Sequence, residues 1–306
     1  AASSSTNRPS MCIAAASPHS PGASRQTLAP PDERRSGAKV VLAVISEPSE
    51  VMVDWQECDV DADGVAIHVY RAGRPDRPPL VLAHGLSDSG RCWWRVAQAL
   101  ENDFDLVMID ARNHGQSGTV PGEGPPPTAD VAAVVEQLGL DRPALIGHSL
   151  GARTAADFVA GHPGVVSRLV LIDPPWTASQ EFDVGISDSR REAVRSWLVS
   201  CSSATTTELR ALAHEQHPTW PPEEYPTWIE SNQQVRAEAA DTMVGSGWGE
   251  TVAAIDCPSL LVRGDVDSGG MVTNDVARRV TAMNSTSTAV RIAGAGHNIH
   301  REQFDR

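Results

Sequence analysis

The sequence predicts an α/β fold, a mostly parallel, doubly wound sheet interrupted late by a helical insertion, and three observations predict it. Short apolar runs at 80–83, 106–109, 169–172 and 259–262 lack polar alternation, as strands covered on both faces must. Stretches of helical spacing lie between them, at 91–100, 128–138 and 150–160. After Asp173-Pro174-Pro175 that rhythm breaks, and it resumes only at Ser259.

Taken in order, residues 1–50 are rich in Ala, Ser, Pro and Arg without a sustained period of 2 or 3.6, the composition of a disordered or non-native extension. Residues 51–306 are expected to form the folded unit. The run 65–70 alternates as a strand, and Asp63-Gly64 before it suits a hairpin turn. Asp59, Asp61, Asp63 and Gly64 match the opening of a calcium-binding loop, but its twelfth position is Tyr70 where Glu is required, so the turn is the better reading. Strands follow at 80–83, 106–109, 144–146 and 169–172, with helices between them. Residues 174–250 read as a helical cap broken by Pro218, Pro221, Pro222 and Pro226, since a long excursion inside a compact domain usually serves function. A strand at 259–262, a helix at 272–283 and a last strand at 289–292 complete the sheet. Only nine residues follow His297, room for at most two helical turns, so the C-terminal helix is expected to be short or truncated.

Composition narrows the function. The chain of 306 residues can bury a large core, and its formal charge of −14 argues against a general nucleic-acid binder that works by neutralising phosphates. No apolar run approaches the roughly 18 to 20 residues needed to cross a bilayer. The 5 cysteines are scattered without CxxC or zinc spacing, which suggests a reducing, cytoplasmic setting and no structural metal. No phosphate-cradling or dinucleotide fingerprint is present, so no cofactor is implied.

The sharpest chemical signal is Gly147-His148-Ser149-Leu150-Gly151, between the run ending at Ile146 and the helix beginning near Leu150. Small residues two before and two after a serine allow a tight strand-to-helix turn that lifts its hydroxyl above the sheet edge. His84-Gly85-Leu86 follows a buried strand, and Asp110-Ala111-Arg112-Asn113-His114-Gly115-Gln116-Ser117 follows another. With these motifs the chain resembles the α/β-hydrolase fold superfamily over roughly 55–306, in its serine esterase and lipase branch. The second loop resembles the family's D-x-R-G-H-G-x-S, with Asn113 in place of Gly, a residue that tolerates left-handed backbone.

The resemblance implies a nucleophile, acid and histidine in that chain order. Ser149 is the implied nucleophile, and His297 in Gly294-Ala295-Gly296-His297 the base, with His300 its rival. Gly264-Asp265-Val266-Asp267 resembles the family's G-x-x-D, which implies Asp267 as the acid; Asp265 and Asp173 are the weaker alternatives. The backbone amides of Leu86 and Leu150 are the implied oxyanion donors. His84 and His114 are implied to brace their loops. Five of the 8 tryptophans, Trp176, Trp197, Trp220, Trp228 and Trp248, fall in the cap, so either they hold the cap together or they favour an apolar or aromatic substrate. Trp93, Trp94, His148 and Trp176 are the expected pocket residues.

The expected function is hydrolysis of a carboxylic ester or lactone of an apolar or aromatic small molecule. A carbon-carbon bond hydrolase, a lyase or a cofactor-free haloperoxidase on the same triad is the alternative, and a non-hydrolytic receptor or pseudoenzyme the further one. Relatives with an aspartate nucleophile are excluded because position 149 is serine.

Overall fold

The computed structural model describes residues 55–120, 124–178, 186–243 and 247–306; the expected extension at 1–50 lies outside them. β1 (Gln56–Ala62) and β2 (Val65–Gly73) form an antiparallel hairpin. Asp63 and Gly64 turn it with φ of 54° and 86°. The Asp61 carboxylate accepts from the Gly64 N–H at 2.7 Å, so these aspartates serve a turn. The strands β3 (Pro79–Ala83), β4 (Asp105–Ile109), β5 (Ala144–His148), β6 (Arg168–Ile172), β7 (Ser259–Arg263) and β8 (Ser287–Arg291) run parallel. The sheet order is β1-β2-β4-β3-β5-β6-β7-β8, with β2 antiparallel to β4.

The helices α1 (Trp94–Leu100), α2 (Thr128–Gln137) and α3 (Leu150–Gly161) make the first crossovers. Because side chains alternate along a strand, each apolar run feeds two cores. Val81, Val107, Leu145 and Leu171 face the cluster that includes α2 and α3, whereas Leu82 and Met108, with Ile146 and Ile172 beside them, face Trp93 and Ala97 on the α1 side. That division is why these strands carry no polar alternation.

Between β6 and β7 lie α4 (Asp188–Ser203), α5 (Thr206–Gln216), α6 (Tyr225–Gln234) and α7 (Trp248–Ala254). α5 begins with a capping box in which Thr205 and Glu208 satisfy each other's backbone amides. α4 to α6 carry two small clusters of their own: Leu209, Trp220, Tyr225 and Trp228 in one, Leu198, Val235 and Ala239 in the other. α7 differs, since Trp248 and Val252 are buried in the main core. α8 (Asn274–Met283) and α9 (Ile299–Glu302) complete the fold. β8 is an edge strand in which only Ser287 is buried.

The strand order reverses at β3: β4 lies on one side of it and β5 on the other. The carboxyl ends of β3 and β5 therefore border the switch point where open α/β sheets bind ligands.

Candidate active site

Ser149 sits between β5 and α3 with φ 51° and ψ −117°, a backbone that an L-residue adopts only under constraint. The constraint is close packing. A Cβ on Gly151 would strike the carbonyl oxygens of Ala83 and His84, and one on Gly147 would strike Gly151 O and the Ala152 backbone. The Ser149 N–H is held by Ile172 O at 2.9 Å, continuing the sheet into the turn.

His297 Nε2 accepts from the Ser149 hydroxyl at 2.9 Å, and its Nδ1–H donates to Asp173 Oδ2 at 2.7 Å. This corrects the expectation of Asp267 as the acid. Asp267 is exposed on a 3-10 turn, Val266–Ser268. Asp173 is fully buried at the end of β6, with φ 42°, and accepts from Met271 N–H at 2.8 Å and Val272 N–H at 3.1 Å as well as from the imidazole. Three donors converge on one buried carboxylate and fix its direction. Asp265 also has a task of its own: it binds the Arg291 guanidinium and accepts from Gly294 N–H at 2.9 Å, and these bonds, the arginine first, push its pKa down to about 2.

The loop after β3 leans on the same serine. A Cβ on Gly85 would come within 3.2 Å of Ser149 Cβ and 2.9 Å of His148 Nδ1. His84 braces this loop: its Nε2 accepts from Ala111 N–H at 3.0 Å, so Nδ1 carries the proton and donates to Gly85 O at 2.8 Å. Leu150 is the first residue of α3, whose amide has no partner within the helix. The loop after β4 is stitched around Asp110, fully buried, which accepts from Gly90 N–H at 2.6 Å and Gln116 N–H at 2.8 Å. Asn113 adopts φ 66°, the left-handed backbone that its substitution for Gly requires. His114 donates to Arg112 O at 2.8 Å, and burial pushes its imidazole down to about 3, so it stays neutral.

The expected pocket residues divide. Trp176 is fully buried and stacks on Trp248 at 5.6 Å in the main core; Trp93 is fully buried in the α1 core. Neither lines an open pocket, because both serve the packing of helices on the sheet. Trp94 is half-buried, and His148 is buried with its Nε2–H donating to His297 O at 3.0 Å. Burial, then His300, holds His148 neutral. His300, the rival base, packs against His148 (4.7 Å between rings) and Trp93 (4.9 Å), while the serine hydroxyl is bonded by His297. Leu86 packs against the cluster of Leu198, Val235, Ala239 and Ala240 in the helical insert. A cleft of about 470 Å³ opens beside Leu150, lined also by Pro127, Arg153, Thr242 and Glu250.

Sequence reasoning missed a buried ionic cluster close to these loops. Arg301 donates through both Nη atoms to Asp88 at 2.9 and 2.8 Å and through Nε to Glu224 at 3.2 Å. The three residues are far apart in the chain, and only their burial marks them. Also missed was His217, stacked on Trp220 at 3.9 Å, whose imidazole burial and then Arg301 push down to about 4. Among the described residues no group of three His, Cys, Asp or Glu could hold a metal ion, and no helix is long and apolar enough to cross a membrane.

Residues 78–303 match the sequence model of the alpha/beta hydrolase fold. Over 121 residues the chain is 38% identical to N-formylmaleamate deformylase of Pseudomonas putida, covering 38% of this chain and 44% of that protein. It is 29% identical over 238 residues to the esterase YbfF of Escherichia coli, covering 74% and 89%. Against the first curated relatives the match spans about half of their length or less. The crystal structure of E-2-(acetamidomethylene)succinate hydrolase superposes with a TM-score of 0.67 at 20% identity, over 82% of this chain and 95% of that one, a likeness of fold.

Proposed function

The chain belongs to the α/β-hydrolase fold family, and we propose that within it this protein is a serine hydrolase cleaving a carboxylic ester or lactone of a small, largely apolar molecule. One observation carries the reading: His297 bonds Ser149 Oγ at 2.9 Å through one nitrogen and the buried Asp173 at 2.7 Å through the other. A serine hydroxyl is a poor nucleophile near neutral pH, and this line of bonds supplies what it lacks. Asp173 fixes the tautomer with the proton on Nδ1, leaving the Nε2 lone pair aimed at the hydroxyl.

In the first half-reaction Ser149 Oγ attacks the carbonyl carbon while His297 Nε2 takes the hydroxyl proton. The negative charge moves to the carbonyl oxygen, where the amides of Leu86 and Leu150 are positioned by the His84 brace and the start of α3 to receive it. The intermediate collapses, the carbon–alkoxy bond breaks, and the imidazolium gives its proton to the leaving alcohol. Water then attacks the acyl-enzyme with His297 again as base, and the acid leaves as Ser149 regains its proton. Asp173 stabilises the imidazolium in both halves without itself taking the proton.

Leu86 and Leu150 favour an apolar acyl or alkyl group near the serine. The aromatic preference expected from Trp93 and Trp176 loses its support, because both are core residues. Similarity to an esterase favours the ester, and similarity to N-formylmaleamate deformylase favours an N-acyl group as the second reading. The test is intact-mass analysis after a fluorophosphonate probe, with Ser149→Ala as control, together with turnover of aryl, alkyl and lactone esters. One adduct lost in the control, plus ester turnover, is expected. An unlabelled wild-type protein that turns over none of the esters would overturn the reading.

A further inference from the structure

We infer that Arg301 is a positioning residue for oxyanion stabilisation, clamping the loop that carries Leu86 to the segment that carries His297 and to the helical insert. The inference rests on the hydrolase reading above and adds a residue that no motif of the family points to. Gly85 to Asp88 is a closed turn, with Asp88 N–H donating to Gly85 O at 3.1 Å, and Leu86 lies inside it. Asp88 is 4% exposed, and both of its carboxylate oxygens are taken by the Arg301 fork. A bidentate guanidinium–carboxylate pair fixes orientation as well as distance, so the far end of the Leu86 turn cannot swing without breaking it.

The other end of the clamp is equally constrained. Arg301 N–H donates to Asn298 O at 2.9 Å. Glu302, its neighbour, accepts from Gly296 N–H and from Asn298 N–H, the two amides that flank His297. The guanidinium therefore projects from a turn that also holds the base. Its Nε reaches Glu224, 1% exposed, at the end of the 3-10 turn Pro222–Glu224 of the insert, and its plane lies 4.6 Å from the Trp220 ring centre. Arg95 is 3.6 Å from the second Glu224 oxygen, so two cations face two acidic side chains. Burial opposes the charge on Arg301, and the groups around it, Asp88 first and Glu224 among them, together more than offset that cost and raise its pKa. The same contacts hold one side of the insert to the catalytic loops.

Such a residue acts in the transition state, where the Leu86 amide meets developing charge. The test compares Asp88→Asn and Arg301→Lys with wild type, each titrated with the fluorophosphonate so that only folded, active protein is counted. Asp88→Asn keeps the Arg301–Glu224 pair, and thus remains informative if Arg301→Lys fails to fold. A shift of a donor by about 1 Å can cost up to 100-fold, so kcat on a p-nitrophenyl ester should fall roughly 10- to 100-fold with KM within about threefold. Affinity for an aryl trifluoromethyl ketone, which forms an oxyanion adduct on serine, should fall by the same factor as kcat. Unchanged kcat in Asp88→Asn, or a loss confined to KM, would overturn the positioning role. An unlabelled wild type would instead remove the hydrolase reading, and the positioning role with it.

Discussion

Two adjacent turns, one after β6 and one after β7, each carry an aspartate near the site, and the contact with His297 is made by the one with the less familiar sequence. After β7, Gly264-Asp265-Val266-Asp267 carries the spacing expected of the acid, but Asp267 points to solvent and Asp265 is engaged by Arg291. After β6, Asp173 is followed by two prolines, a context that reads as a strand stop. There the carboxylate is sealed from water, held by the amides of Met271 and Val272, and meets His297. Those two amides belong to the chain that leaves the β7 turn. That turn therefore contributes donors, and the β6 turn contributes the charge. The carboxylate that meets the histidine is set apart by burial and by the donors that converge on it, not by its spacing from a strand.

The largest expected effect breaks the comparison directly. Asp173→Asn should lower kcat by ~10³- to 10⁴-fold by removing the group that sets the His297 tautomer, while Asp267→Asn, a surface change, should leave kcat within about twofold. Steady-state rates on one ester, normalised to labelled serine, decide it; equal losses in both would show that the acid role is shared.

A smaller effect tests whether the β7 turn works through its backbone. A Cβ on Gly264 would run into Gly296 O and lie 2.6 Å from Ala295 O, just before His297. Gly264→Ala should displace that carbonyl and lower kcat by about 10- to 100-fold, whereas Gly269→Ala, at φ 98° but in open space, should cost stability and leave kcat near normal. Melting temperature and kcat measured together separate the two.

Acid should distinguish the buried side of the site from the exposed turn. Burial holds His148 and His300 well below the ordinary 6.5 and His114 at about 3. Their pKa values are lowered in the folded state, so the unfolded chain binds more protons below pH 6.5. Stability is complete above that value and declines as pH falls, by up to about 1.4 kcal/mol per pH unit for each group. Urea unfolding between pH 7 and 5 should show this slope, and His300→Leu should reduce it by close to one proton. A stability independent of pH in this range would contradict the buried neutral state.

The smallest effect belongs to Asp265. Its pKa is lowered to about 2, chiefly by Arg291 and then by Gly294 N–H, so its contribution is present above the ordinary carboxylate value of 3.8 and vanishes as pH falls toward 2. Asp265→Asn should be slightly less stable than wild type at pH 7 and equal to it at pH 2, read from urea midpoints.

Much of the fold was legible because its strands announce themselves. The runs 80–83 and 106–109 are apolar throughout since both faces of β3 and β4 are covered, and that requirement is local to each strand. The elbow was legible for a related reason: Gly147 and Gly151 are demanded by backbone contacts that any such turn must make. The tryptophans were not, since apolar side chains of one type fill a core and a pocket alike. Trp176 and Trp248 stack inside the sheet's own core, Trp220 and Trp228 pack the insert, and Trp197 is 40% exposed. The Arg301 cluster was illegible because its members are joined only by burial across 213 positions of chain.

By itself, then, the sequence determined the strands, their alternation with helices, the serine, the histidine and the loops beside them, because each depends on neighbours a few residues away. Only the tertiary structure decided which aspartate faces His297, which tryptophans are core, and how the insert is held to the catalytic loops. Those outcomes depend on which distant groups lose water together, and a carboxylate's partners in a dry interior are set by packing, not by spacing along the chain.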